Sequence, residues 1–367
     1  MPPKLMIPGP VMVEDEVLRQ MSRPAQAHYG PEWTAIHNET TGLLRQVFQT
    51  QGDAFILVGS GSAGLDAAIG SMTAPGETII VGSNGFFGQR LVAISRGYGL
   101  NVVAVEAPFG EPLEPSDFDR ALAQHPGAAA VVVAHLETST TVLNPLQAIV
   151  EVARRYDTPI IVDAVSTLGG VPLPMDVWGI DICVSASQKC LGALPGLAPV
   201  AVSPRAWAIM DSKPGRHHGW YLNLQVWRKF AQEWGDWHPF PVTMPTNNVL
   251  ALRAGLQSLL ADGLDARFRR YEALATRLRA GLRALGLRLF ASEEHLAPIL
   301  TGVYSPDGIP SSRIVNYLYT ECGIKISGGF GDEVKERIFR IGHMGAAITE
   351  ADIDALLAGI AAFMRTG

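Results

Sequence analysis

Seven short runs rich in β-branched residues punctuate the first two-thirds of the chain, at 54–58, 78–81, 101–105, 129–134, 159–163, 181–185 and 198–202. Helical patterns separate most of them, among others at 65–72, 88–96 and 146–155. Strands joined by helical crossovers predict a mostly parallel seven-stranded sheet covered on both faces, the doubly wound α/β arrangement. After Trp220 the texture changes. An aromatic-rich stretch, 220–240, precedes a long helical run at 249–285 that breaks near Gly263. Short strands are expected at 288–290 and 299–303, a helix at 311–321 and a strand around 338–341. A closing amphipathic helix begins at Thr349, with Glu350 and Asp352 in its first turn, where acids meet the positive end of the helix dipole. The division expected is a large domain over 21–259 and a smaller C-terminal α+β domain over 260–367.

Composition narrows the class. The 367 residues are 47% apolar and 17% charged, which excludes disorder and suits two domains of roughly 150 residues or more each. The net charge of -6 comes without any basic stripe of the kind that nucleic-acid binding requires. The densest basic stretch, 267–288, spreads its charges along a helical pattern and reads as a solvated face. No run approaches the ~20 apolar residues of a membrane helix. Residues 1–10 carry one lysine, four prolines and no long apolar run, so no signal peptide is expected there. Three cysteines, Cys183, Cys190 and Cys322, are few and odd in number, as expected of reduced thiols in the cytoplasm. His217, His218 and His238 lack metal-ligand spacing to acidic or cysteine partners, so no metal site is expected.

Two features carry chemistry. The first is the turn Gly59-Ser60-Gly61-Ser62-Ala63-Gly64, which follows a strand and opens a helix. Its spacing fits a dinucleotide fingerprint, but the next strand ends in Gly82-Ser83-Asn84 rather than in the acid that would hold a ribose. A bare phosphate fits better, because the first N–H groups of a helix are unpaired and two serine hydroxyls add donors. With no Lys or Arg in the turn, the dipole and hydrogen bonds are expected to carry the recognition. A glycine-rich turn without a ligand is the plain alternative.

The second feature is a pair of charges at strand ends. The run 159–163 closes on Asp163, and twenty-six positions later another strand leads into Ser187-Gln188-Lys189. Carboxyl ends of strands are where open α/β sheets bind ligands. Alone, Asp163 reads equally as a turn aspartate and Lys189 as a surface lysine. Together with the phosphate turn they form the set that pyridoxal phosphate needs: an amine for its aldehyde, an anion for its ring nitrogen and a cradle for its phosphate. Burial would lower the lysine pKa and free a neutral amine for attack.

With Val162-Asp163-Ala164-Val165-Ser166 upstream of Ser187-Gln188-Lys189, the chain resembles the class V aminotransferases of fold-type I, and most of all the alanine–glyoxylate and serine–glyoxylate group. The resemblance runs from Pro8-Gly9-Pro10 to Gly345. It implies Lys189 as the Schiff-base lysine and proton shuttle, and Asp163 as partner of the pyridine nitrogen. Ser60, Gly61 and Ser62 would hold the phosphate, with Gln188 and with Thr243 from the neighbouring subunit of a homodimer. Phe87 stands where the family stacks an aromatic ring on the cofactor, and Thr138 where it bonds the phenolic oxygen. Arg340 corresponds to the arginine that clamps the substrate carboxylate by two parallel bonds. Gly9, within an N-terminal segment spanning 1–20, would close over that carboxylate. The activity implied is transfer of an amino group from alanine or serine to glyoxylate or pyruvate by a ping-pong route.

This chain also departs from the group. Ser62 replaces a histidine of the mammalian-type enzymes, Phe87 their tryptophan and Phe240 their tyrosine, whereas Asn247 is more like the serine–glyoxylate members. Residues 189–197 and 340–345 are also similar to the pyridoxamine–pyruvate enzymes, but Ser60 replaces that group's acid. Other donors, such as ureidoglycine, pyridoxamine or an aminophosphonate, stay open, as does a lyase or desulfurase. The last would need a mobile reactive cysteine, and Cys322 ends a helical pattern while Cys190 reads as a small buried residue. His28 and Tyr29 could line a partner's pocket or form an ordinary turn.

Overall fold

The computed structural model describes residues 3–213 and 219–365. His217 and His218 therefore lie outside the described residues.

All seven expected strands form one sheet. They are β1 (Asp53–Val58), β2 (Thr78–Ser83), β3 (Asn101–Glu106), β4 (Ala130–Ala134), β5 (Ile160–Asp163), β6 (Ile182–Val184) and β7 (Leu197–Val202). Their spatial order is β1-β7-β6-β5-β4-β2-β3. Every pairing from β6 to β3 is parallel, and β7 alone runs antiparallel to both of its neighbours. The central strands bury side chains on both faces, which explains why they read as continuous Val and Ile runs rather than alternating ones.

The helix after the glycine turn, α1 (Gly61–Met72), starts four residues before the periodic pattern at 65. The turn itself supplies the first helical residues, so their N–H groups face the carboxyl edge of the sheet. A Cβ on Gly64 would meet Val184 Cγ1 at 2.6 Å, which shows how closely α1 sits on β6. The next helix, α2 (Phe86–Gly97), leaves the end of β2.

A second apolar cluster gathers Met6 with residues from Leu274 to Phe363. It lies beneath an antiparallel sheet of β8 (Leu300–Tyr304), β9 (Ser327–Gly328) and β10 (Ile338–Gly342). The expected strand at 288–290 is absent as such: only Leu289 bridges to Val303, because this edge segment leaves the ladder after one residue pair. Helix α3 (Leu264–Ala284) keeps Arg269, Arg277 and Arg283 on the expected solvated face but corrects that reading for two other arginines. Arg267 and Arg279 are buried, donating to the carbonyls of Ser258 (2.9 Å) and Ala297, so these two turn inward to satisfy backbone acceptors that the core would strand. The closing helix, α4 (Glu350–Met364), begins with the expected cap at Thr349, in a full capping box with Asp352.

The N-terminal segment joins this smaller sheet region. Residues 4 and 5 pair in parallel with 324 and 325, and Met6 accepts a hydrogen bond from Gly342 N–H at 2.8 Å. A Cβ on Gly342 would fall 1.9 Å from the Ile7 carbonyl oxygen, so only glycine lets the segment pass. That passage delivers Gly9 to the edge of the large sheet.

Candidate active site

Each chemical group arrives at this edge for a local reason. Asp163 is the last residue of β5, paired on one side with Ala134 and on the other with Val184, so it sits mid-sheet. Its Oδ1 accepts a hydrogen bond from Val165 N–H at 2.9 Å. Burial raises its pKa to about 6, against the lowering effects of that bond and of the nearby Arg90 and Lys189. Lys189 lies on the return from β6 to β7. Burial lowers its pKa to about 8, and Arg340 and Arg90 act in the same direction. Its amine donates to the carbonyl of Pro8.

A cavity of about 250 Å³ is lined by Gly9, Ser60, Gly61, Ser62, Phe87, Thr138, Asp163, Gln188 and Lys189, together with Arg90, Ser166 and Pro195. Nine of the eleven site residues expected from the sequence therefore share one enclosure. Arg340, on β10, reaches its rim, donating through Nη1 to the Thr138 carbonyl and through Nε to the Gly328 carbonyl, both at 2.9 Å. Thr243 is exposed and lines no part of this cavity, nor do His28 and Tyr29. His28 Nδ1 instead lies 3.3 Å from His238 Nε2.

Three residues escaped the sequence reading. Arg90 sits three positions after Phe87 on α2, the spacing that places two side chains on one helix face. Its Nη1 donates to Ser62 Oγ at 3.1 Å and its guanidinium lies 4.7 Å from the Phe87 ring centroid. A cation thus reaches the turn from outside it, a contact that the composition of the turn itself does not announce. Glu137 is fully buried beneath the start of α2 and accepts from Gly88 N–H and Ser139 N–H, each at 2.9 Å. Burial raises its pKa, against those bonds. The argument applied to Asp163, an acid at the end of a buried strand, would have found it. Phe330 stacks near Phe87 (6.2 Å between centroids) and stands 5.7 Å from the Arg340 guanidinium. A loop residue of no periodic pattern left no signal for it.

None of the three cysteines lines this cavity. Cys190 is buried and its pKa is pushed up to about 12 by desolvation, while Cys322 packs at a helix end against the backbone of Gly359.

The aminotransferase class-V family matches residues 14–356. The chain belongs to that family. An uncharacterized aminotransferase of Methanocaldococcus jannaschii is 38% identical, over 93% of this chain and 87% of its own. A protein of Synechococcus sp. named soluble hydrogenase, small subunit, is 37% identical over 98% and 92%. The (S)-ureidoglycine–glyoxylate transaminase of Bacillus subtilis is 33% identical over 98% and 90%. Among solved structures, an alanine–glyoxylate aminotransferase from Nostoc sp. superposes with a TM-score of 0.94 at 31% identity, covering 100% of this chain and 96% of that one. Among the described residues, no three His, Cys, Asp or Glu side chains are grouped to hold a metal. No helix among them is long and apolar enough to cross a membrane.

The chain is thus a pyridoxal-phosphate-dependent transaminase of fold-type I. Its site fits that cofactor. Ser60 caps α1 with no side-chain bond of its own to the helix, and a Cβ on Gly61 would strike Val165 Cγ2 at 2.5 Å. The turn therefore keeps bare backbone where an anion would rest. Gln188 Oε1 is buried without a partner among the described residues, and its amide can present either its oxygen or its nitrogen there.

Proposed function

We propose that the chain transfers the amino group of a small amino acid, alanine or serine, to glyoxylate or pyruvate in two half-reactions. The reading rests on the convergence of Lys189, Asp163 and the turn at 59–64 on one cavity. Pyridoxal phosphate, when bound, supplies an aldehyde that takes the amino group and a ring that accepts electrons from the substrate α-carbon. Lys189 would hold it by the amine and move the proton at that α-carbon. Its lowered pKa supports this, since a larger fraction is neutral at physiological pH than for an ordinary lysine. Asp163 would face the ring nitrogen as an anion, and Thr138 the phenolic oxygen. Ser60, Gly61, Ser62 and Gln188 would hold the phosphate, and Phe87 the ring face.

Arg340 would bind the substrate carboxylate, with Gly9 closing over it. With Nε and Nη1 already donating to carbonyls, Nη2 is the nitrogen left to a ligand among the described residues. In this reading the chain works as a homodimer, and the exposed Thr243 completes the phosphate site of the other protomer.

The test is spectroscopic. Purified holoenzyme mixed with alanine or serine should convert to the amine form of the cofactor, and glyoxylate or pyruvate should reverse it. Conversion only by ureidoglycine, the donor in the name of the Bacillus subtilis relative, would move the assignment to that donor. Release of sulfide or ammonia without interconversion would replace transamination by a lyase. Lys189→Ala should abolish the visible band of the lysine-bound cofactor, and an unchanged band would refute that lysine.

A further inference from the structure

Arg90 is a cation held by one hydroxyl and two aromatic rings among the described residues. Its Nη1 donates to Ser62 Oγ, and its guanidinium lies 5.3 Å from the centroid of Phe86 and 4.7 Å from that of Phe87. It lines the cavity that holds Lys189 and Asp163. Arg340, the other arginine at this site, has both ends of its charge dressed by carbonyl oxygens. Among the described residues Arg90 has Ser62 as its one hydrogen-bond acceptor, and Asp163 is an anion that feels its charge, so its donors are left largely unspent.

We infer that Arg90 is the cationic ligand of the cofactor phosphate, reaching over Ser62 from α2 to meet the anion at the mouth of α1. The inference rests on the cofactor reading above and extends it. Backbone N–H groups and hydroxyls orient a phosphate but bring no full positive charge. A guanidinium supplies the charge and a planar pair of donors. Stacking on Phe87 fixes its direction, so the ring that faces the cofactor also aims the phosphate ligand. The same contact makes Arg90 selective for phosphorylated over unphosphorylated forms of the vitamin.

Apo full-length chain, wild type and Arg90→Gln, should be titrated with inorganic phosphate, pyridoxal phosphate and unphosphorylated pyridoxal, following melting temperature and tryptophan fluorescence. Losing a charge-assisted pair should weaken phosphate and pyridoxal phosphate by about tenfold or more, with pyridoxal changed less than about twofold. Arg90→Met keeps an apolar chain against Phe87 and carries the same expectation should the Gln variant fail to fold. Equal losses for pyridoxal and pyridoxal phosphate would overturn the inference, because Arg90 would then act only by holding Phe87. Unchanged phosphate affinity would overturn it too, as would a loss confined to the KM for the keto acid. A wild-type chain that binds neither phosphate nor pyridoxal phosphate would sink the cofactor reading itself, a result distinct from the other three.

Discussion

Arg340 donates through Nη1 to the carbonyl oxygen of Thr138 at 2.9 Å, which ties the smaller sheet to the rim of the larger one. The same guanidinium would bind a substrate carboxylate, a group present in donor and acceptor throughout the reaction. Uniform binding of that kind appears in KM. Arg340→Lys keeps the charge but loses the planar pair of donors, and KM for both substrates should rise roughly tenfold to a hundredfold. Steady-state kinetics on both half-reactions would check this, and unchanged KM values would remove Arg340 from the substrate site.

Asp163 links function to stability with a definite sign. Its folded pKa, raised to about 6 from an ordinary 3.8, means that the folded chain holds this proton more tightly than the unfolded one. The stabilising contribution is full below about pH 4 and is lost as pH rises through about 6. At neutral pH the buried anion therefore costs the apo chain on the order of 3 kcal/mol, at about 1.4 kcal/mol per pKa unit. Asp163→Asn should melt higher than wild type as apo protein at pH 7.5, with the gap closing near pH 4, while turnover collapses. Melting curves against pH would decide it, and a variant less stable at every pH would contradict the buried-charge account.

Gly9 has a φ of +119°, and a Cβ there would lie 2.6–2.7 Å from Cδ, Cε and Nζ of Lys189. Gly9→Ala should push the lysine off its position and leave the second core undisturbed. A near-native circular dichroism spectrum with little cofactor absorbance at the visible band is the expected result. A fully loaded, active Gly9→Ala enzyme would show that the segment yields instead of the lysine.

Thr349 serves as an inverse control, far from the chemistry. Its hydroxyl accepts from Asp352 N–H in the capping box of α4. Thr349→Ala should cost about 1 kcal/mol of stability while kcat stays within the error of the wild-type value. Chemical denaturation measures the first and a turnover assay the second. A large fall in kcat would mean that α4 is coupled to the site in a way its position does not suggest.

The large sheet was legible because its strands are buried on both faces and each is bounded by turn residues, so 78–81 and 160–163 announce themselves by composition. The edge at 288–290 was misread because a single bridge at Leu289 needs no more pattern than a loop does. At the site, Asp163 and Lys189 were readable from position alone, as charges at strand ends. Arg90 was not, because its distance from the turn is 28 residues in sequence and one hydrogen bond in space. Arg267 and Arg279 misled for the opposite reason: helical spacing marks which residues share a face, but carbonyls left by distant segments decide whether a charge is drawn inward.

One consequence of the lone antiparallel strand concerns motion. Because β7 doubles back beside β6, the excursion bearing Lys189 is moored at both feet to adjacent rungs, with Ser185 N–H on the Pro199 carbonyl at 2.8 Å and Ser187 N–H on the Leu197 carbonyl at 3.0 Å. Inside it, Gly192 N–H closes back onto the Lys189 carbonyl at 2.9 Å. The α-carbon of this residue is consequently a fixed pivot. Any travel of the amine between two reacting atoms comes from rotating four methylenes about a stationary hub, a swing on the timescale of side chains rather than of loops.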